Sequence, residues 1–304
     1  MTEPNVASGA GVWAFAAPWL GSLVIAGADR VSWLNGLSTC EVAPLQAPHR
    51  GAYGLATSKV GRILSDLIIV SGPDRLYVAV PRDREAPLAE AFERYLVMED
   101  AELSPAGDRL AWLLLHGPGA ADLAADLAGR AGAVAWAPVD LTGRGGAALA
   151  FEAGALGGAL EALRAAGVTP GDEAAWEALR HAWGVPRFGV DFDEKSYPQE
   201  AGLEKRAVSF QKGCYLGQEV VCRLEMRGHV HRKLVSLALE AAEPPERGAP
   251  VHAAGGEAVG AVTSAARGEG GGPARALAMI KYAHAEKGEG LSVGGVPAQV
   301  VRAP

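Results

Sequence analysis

Apolar and polar positions along the chain recur with the periods of short strands and helices. Residues 22–26, Ser-Leu-Val-Ile-Ala, form an apolar run of strand length. Gly27-Ala28-Asp29-Arg30 then makes a turn, with Asp29 placed to cap a short helix carrying Val31, Trp33, Leu34 and Leu37. Residues 53–57 and 63–70 read as strands joined by a hairpin connection, Lys59-Val60-Gly61-Arg62, and 76–80 as another strand after the turn Gly72-Pro73-Asp74. Over 87–97 the apolar residues Leu88, Ala91, Phe92, Tyr95 and Leu96 repeat at helical spacing. A buried strand follows at 110–115, and Gly117-Pro118-Gly119 opens an alanine-rich helix over 120–128.

Residues 150–164 and 173–183 read as helices, 217–226 as a further helix and 230–239 as a strand. Between them, 185–206 is a long stretch rich in charge, proline and tyrosine, and loops of that length in a compact protein are functional or disordered. Beyond Pro244-Pro245 short strands alternate with glycines at 249–252, 258–263, 276–281, 290–293 and 298–302, the pattern of a small barrel or sandwich. The strand–turn–helix order of 23–37 recurs at 112–127, so the chain is α+β with two units of similar plan.

With 304 residues the chain is long enough for two or three domains. Its 49% hydrophobic and 21% charged residues are those of a folded protein. A net charge of −7 argues against a surface built throughout to hold nucleic acid, leaving room for a local basic patch. Neither a basic start followed by an apolar run nor a stretch of 18 apolar residues is present, which predicts a cytoplasmic protein without a membrane span. Cys40, Cys214 and Cys222 are too few and too scattered for a disulfide framework and fit a reducing compartment.

The chemistry concentrates in residues 210–221, Phe-Gln-Lys-Gly-Cys-Tyr-Leu-Gly-Gln-Glu-Val-Val. Lys212, two residues before Cys214, can favour the reactive thiolate, and Gly213 and Gly217 allow close backbone approach or positive φ. The plainer reading is a tight turn whose cysteine is a small buried hydrophobe. Asp66, in an apolar strand, is either a cap or ion-pair partner or a carboxylate aimed at a ligand amine, and strand alternation sends Ser65 to the opposite face. Cys214, Cys222, His229 and His231 match none of the short-paired zinc spacings, so no metal site is expected. Arg223, Arg227, Arg232 and Lys233 against Glu225 form either a solvated edge or an anion or RNA contact. Phosphate-loop, His-Glu-x-x-His and dinucleotide motifs are missing, which removes support for nucleotide hydrolysis and dehydrogenase chemistry.

Tyr197-Pro198-Gln199-Glu200-Ala201-Gly202-Leu203, followed by the 210–221 motif, resembles the signature of the YgfZ family of folate-binding proteins. Those proteins are relatives of the glycine-cleavage T-protein, an aminomethyltransferase that uses tetrahydrofolate. Weaker similarity covers 27–37, 61–66, 179–189 and 259–264. The resemblance implies three domains in a ring around a folate cavity. Residues 1–47 with 108–195 would form one α+β domain, 48–107 with 196–228 a second carrying the motif, and 229–304 a C-terminal β-barrel.

It also implies a tetrahydrofolate-binding accessory protein for assembly or repair of iron–sulfur enzymes, linked to tRNA modification, with iron–sulfur client proteins and tRNA as partners. Cys214 and Lys212 would be its motif residues, and Asp66 would lie at or beside the carboxylate that meets the folate amine. A pterin asks for a carboxylate or amide, and its glutamate tail for a cation; Glu200, Gln218, Arg180, Arg187 and Lys212 are available for these roles. Ser65 stands where the transferase has a first acid, and the 141–147 stretch lacks the transferase's pterin-holding pattern. Two alternatives are a folate-dependent one-carbon transferase of the aminomethyltransferase type and a non-catalytic RNA or protein adaptor.

Overall fold

The computed structural model describes residues 11–228, 230–268, 271–288 and 290–301. In chain order, β1 (Trp13–Ala16) and β2 (Leu20–Ala26) precede α1 (Arg30–Leu37); β3 (Gly51–Thr57), β4 (Ile63–Ser71) and β5 (Leu76–Pro81) follow. Next come α2 (Glu85–Glu93), β6 (Glu102–Pro105), β7 (Leu110–His116), α3 (Ala120–Ala131), β8 (Ala135–Pro138), β9 (Gly146–Glu152), α4 (Leu156–Ala165) and β10 (Pro170–Gly171). The remainder carries α5 (Glu173–Ala182), α6 (Glu204–Ala207), α7 (Gln218–Arg227), β11 (Arg232–Leu239), β12 (Pro250–His252), β13 (Ala258–Ala266), β14 (Arg275–Lys281), α8 (Tyr282–Lys287), β15 (Leu291–Val293) and β16 (Val296–Val301).

The chain separates into two compact units, one of the described residues up to Glu173 with Arg206–Gln218, the other of Ala174–Lys205 with the described residues from Glu219 onward. In the first unit two five-stranded sheets, ordered β3-β4-β5-β2-β6 and β10-β1-β7-β9-β8, pack face to face. Strand alternation sorts the side chains. Leu67 and Ile69 of β4 join Leu23, Ile25, Trp33, Leu34, Leu88 and Phe92 beneath α1 and α2. Ile68 and Val70 point the other way, into an inter-sheet core with Trp112, Leu114, Ala137 and Ala148. The buried indole of Trp112 donates to Ser22 Oγ at 2.8 Å across that core, satisfying two polar groups that burial would otherwise penalise. Helices α3 and α4 cover the far face of the second sheet through Ala120, Ala124, Leu127, Ala159 and Leu163.

The recurrent strand–turn–helix plan appears once in each sheet, as β2–α1 and β7–α3. Gly27 (φ 99°) and Gly117 (φ 114°) make the two turns, and a Cβ at either would collide with the backbone carbonyl of Asp100 or Gly11. Because β2 pairs with β5 and β6, the sheet built from 51–105 takes one strand from the first 47 residues.

Several local expectations are corrected. The Asp29 side chain does not cap α1; its Oδ2 accepts the backbone N–H of Asp100 at 2.9 Å, tying the turn to the segment before β6. Helix α2 stops at Glu93 rather than 97, and the Tyr95 carbonyl accepts the indole N–H of Trp33 at 3.0 Å. Residues 150–152 are strand, with Ala150 and Phe151 opposite Trp112 and Ala111, so sheet pairing overrides the helical leaning of an alanine-rich stretch. Strands β1, β6, β8 and β9 escaped the sequence pattern, being short or built from alanine and glycine.

In the second unit the strands after α7 close a six-stranded barrel, β11-β14-β13-β12-β15-β16, around Val235, Leu237, Val251, Val262, Ala278, Ile280, Leu291 and Val293. Of the two forms the pattern allowed, the barrel is the one adopted. Among the described residues no helix is long and apolar enough to cross a membrane.

Candidate functional site

Residues 206–218 do not form an independent turn; they are sewn onto α1 and the β3–β4 hairpin of the first unit. Near the start, Thr39 Oγ1 donates to the Ala207 carbonyl and Ser209 N–H to the Thr39 carbonyl. At the far end, Leu216 N–H donates to the Gly36 carbonyl at 2.9 Å, and Thr57 Oγ1 donates to the Leu216 carbonyl. Gly217 takes φ 84°, and a Cβ there would meet the Ser58 carbonyl oxygen and Thr57 Oγ1. Gly213 has nothing within 4 Å of such a Cβ. Of the two motif glycines, the fold requires Gly217 and leaves Gly213 unconstrained.

Lys212 corrects the sequence reading most sharply. Its Nζ donates to the carbonyl oxygens of Asn35, Ser38 and Cys40 at 2.7, 2.8 and 2.6 Å, and sits 5.4 Å from the centre of the Tyr215 ring. Three donors meet three acceptors, so the ammonium has none left for the Cys214 sulfur. Burial lowers the Lys212 pKa, opposed by the nearby Cys40 and Glu41. Cys40 lies beneath Gly54, and burial pushes its thiol up to about 11 against the pull of Lys212. Cys214 is exposed, which rules out the buried-hydrophobe reading.

A second cluster lies at the rim of the inter-sheet core. Asp66 follows the alternation of Ile68 and Val70, so its side chain leaves β4 on the face turned to the other sheet and is half-buried there. On the same face Tyr53, paired with Ile68, donates its hydroxyl to Asp66 Oδ2 at 3.2 Å. Burial first, then the Asp66 charge and hydrogen bond, hold the Tyr53 hydroxyl well above its ordinary pKa, with Arg206 pulling the opposite way. Tyr53 is therefore the donor and Asp66 the acceptor.

Arg206, absent from the sequence-derived candidates, donates Nη1 to the Leu141 carbonyl at 3.3 Å. The 140–145 loop that offers this carbonyl is wound around Asp140, whose carboxylate accepts the N–H groups of Thr142, Gly143 and Gly145. Burial raises the Asp140 pKa and those N–H groups outweigh it, leaving the carboxyl below its usual value. Ser65 is fully buried on the opposite face of β4 and donates to the Asp66 carbonyl at 2.9 Å.

The other candidates, except Gln218, are engaged inside the second unit. Arg180 is fully buried, with Nε on Glu177 at 2.7 Å and Nη1 on Asp191 at 2.7 Å, which makes it an internal ion-pair partner rather than a group open to ligand. Arg187 donates Nη1 to Glu177 at 2.9 Å and its backbone N–H to Asp191 at 3.0 Å. Glu200 accepts the Tyr197 N–H at 3.0 Å and Arg232 Nε at 3.2 Å. Lys233 lies 3.4 Å from Glu204, so two cations of the basic run are neutralised locally. His229 falls outside the described residues. Gln218 opens α7, its N–H donating to the Tyr215 carbonyl at 3.1 Å.

Residues 232–304 match the glycine cleavage T-protein C-terminal barrel domain. An aminomethyltransferase of Rubrobacter xylanophilus is 30% identical over 81% of this chain and 69% of its own length. One of Thermosynechococcus vestitus is 29% identical over 94% and 82%. The tRNA-modifying protein YgfZ of Sodalis glossinidius is 28% identical over 73% and 70%. The crystal structure of the glycine cleavage system aminomethyltransferase T from Bartonella henselae shares the fold, with a TM-score of 0.78 and 21% identity over 96% of this chain and 85% of that one. The sheets, the closing barrel and these relatives together place the chain in the aminomethyltransferase, or glycine-cleavage T-protein, family, as a YgfZ-type member.

Proposed function

We propose that this protein binds a tetrahydrofolate at the Asp66–Tyr53 rim and serves as an accessory factor for iron–sulfur enzymes, with Cys214 as the reactive group. The observation that carries the folate half is the half-buried Asp66 carboxylate, oriented by Tyr53 at the edge of an apolar inter-sheet core. A pterin is flat and apolar on its faces and presents donors on its amino-pyrimidine edge, so a carboxylate beside hydrocarbon suits it. Arg206, near enough to act on Tyr53, supplies a cation suited to the folate's carboxylate tail.

Tetrahydrofolate would supply a one-carbon unit carried on its pteridine and bridging nitrogens. The chain's own residues bind and orient: Asp66 accepts from the pterin, Tyr53 holds Asp66, and the thiol of Cys214 is exposed where a client protein can reach it. The similarity to a tRNA-modifying YgfZ supports tRNA modification as the process this accessory role serves. The test is titration with tetrahydrofolate of the wild type, Asp66→Asn and Cys214→Ala. Cys214→Ala should bind like the wild type yet fail to restore the iron–sulfur enzymes of a deletion strain. Equal affinity in Asp66→Asn would sink the folate assignment.

A second reading, aminomethyl transfer, is favoured by the same Asp66, which would orient the folate amine. Turnover of an aminomethyl donor, lost in Asp66→Asn and kept in Cys214→Ala, would select it over the accessory role.

A further inference from the structure

Lys212 is buried, and its ammonium donates hydrogen bonds to three backbone carbonyls. Asn35 lies in the last turn of α1, Ser38 caps it and Cys40 follows two residues later. The ammonium therefore sits at the negative end of the helix dipole, among oxygens that would otherwise have to be hydrated or left unsatisfied. Several backbone carbonyls converging on one compact cation is the coordination a protein gives to a dehydrated potassium ion.

The position of this cation in the segment is informative. The hydrogen bonds of Ala207 and Ser209 with Thr39 hold one end, and those of Leu216 with Gly36 and Thr57 hold the other. Between those ends Lys212 and Tyr215 turn inward, while Gln211, Gly213 and Cys214 are exposed. Gly213 opens onto empty space, so the thiol is placed from its two inward-facing neighbours, Lys212 on one side and the buried Tyr215 on the other.

We infer that Lys212 acts as a tethered monovalent cation, clamping the middle of the 206–218 segment onto the end of α1 and so fixing where Cys214 is presented. It is a positioning residue, acting on the thiol through place rather than through charge. The functional weight of the inference rests on Cys214 being the working thiol. The experiment uses no folate, so the clamp and the folate assignment can fail separately.

The test compares wild type, Lys212→Ala and Lys212→Met, reading maleimide modification on the Cys214-containing peptide and protease cleavage within 206–218. Both variants should be cleaved and modified at rates changed by roughly fivefold or more, as local opening becomes easier. Ammonium or methylammonium should restore Lys212→Ala, and tetramethylammonium, too large and without donors, should not. Lys212→Arg should fail to restore the wild-type pattern, because a planar guanidinium cannot aim three donors at converging oxygens. In the wild type, the Lys212 ammonium should give a slowly exchanging nitrogen-15 signal that vanishes in Lys212→Met.

Wild-type modification and cleavage in both variants would overturn the clamp. Loosening without ammonium rescue would overturn its ion-like character. Should Lys212→Ala not fold, Lys212→Met, which keeps the apolar stem, and the wild-type ammonium signal still decide: a rapidly exchanging signal rejects the inference.

Discussion

The hydroxyl of Tyr53 donates to Oδ2 of Asp66 at 3.2 Å, a diagonal contact across the β3–β4 pair on the face turned toward the second sheet. It makes Asp66 an oriented acceptor. Asp66→Asn should weaken tetrahydrofolate binding about 10- to 100-fold, the loss of a hydrogen bond to a charged group of about 1.5–3 kcal/mol. Tyr53→Phe should cost less, since it removes the orientation and keeps the charge. Calorimetric titration of both variants, with circular dichroism to verify the fold, measures the order; a larger loss in Tyr53→Phe would contradict it.

The two motif glycines should respond oppositely to the same substitution. Gly217→Ala forces a side chain onto φ 84° and into the Ser58 carbonyl, at a strain cost of order 1–3 kcal/mol. Gly213→Ala meets open space. Urea unfolding should show the first variant destabilised and the second within about 0.5 kcal/mol of wild type.

Asp191 is the hub of the second unit. Its carboxylate accepts from Arg180, the Arg187 backbone, Thr263 and Ser264, linking the segment after α5 to strand β13 of the barrel. Asp191→Ala leaves the fully buried Arg180 guanidinium short of a counter-charge, and breaking a buried pair in this way costs about 3–5 kcal/mol. The expected result is a large fall in the urea midpoint at unchanged barrel composition; a change under about 1 kcal/mol would show that Glu177 alone suffices.

His116 should make the first unit acid-sensitive. Burial pushes its imidazole down to about 4, opposed by Asp140, from an ordinary 6.5. The unfolded chain therefore binds a proton between those values that the folded chain refuses. Its stabilising contribution, up to about 3 kcal/mol, is complete above the unfolded value and lost as pH falls toward the folded one. Unfolding measured at about pH 4.5 and about pH 7.5 should differ less in His116→Leu than in the wild type. An equal difference would exclude His116 as the source.

The barrel was legible because short apolar runs recur between glycine- and proline-rich turns beyond residue 244: 258–263 and 276–281 fall within β13 and β14. Period and turn chemistry are local signals, and they survive into the fold. The strand β9, Gly-Ala-Ala-Leu-Ala-Phe-Glu, was hidden because alanine favours helix and only pairing with β7 makes it a strand. The site was legible in part. Alternation placed Asp66 and Ser65 on opposite faces, as found. Proximity in sequence misled at Lys212 and Cys214, since neighbours two apart need not share a direction, and the lysine's partners lie more than 170 residues away. Arg206 gave no signal, because its relation to Tyr53 exists only once 206–218 is folded onto the hairpin.

Strand β16 pairs with β11 on one side and β15 on the other, so the barrel shuts only when the first of its strands along the chain meets the last. Until those two strands meet, two raw backbone edges stay open to whatever strand arrives first. A substitution that keeps β16 from docking would leave that wound permanently.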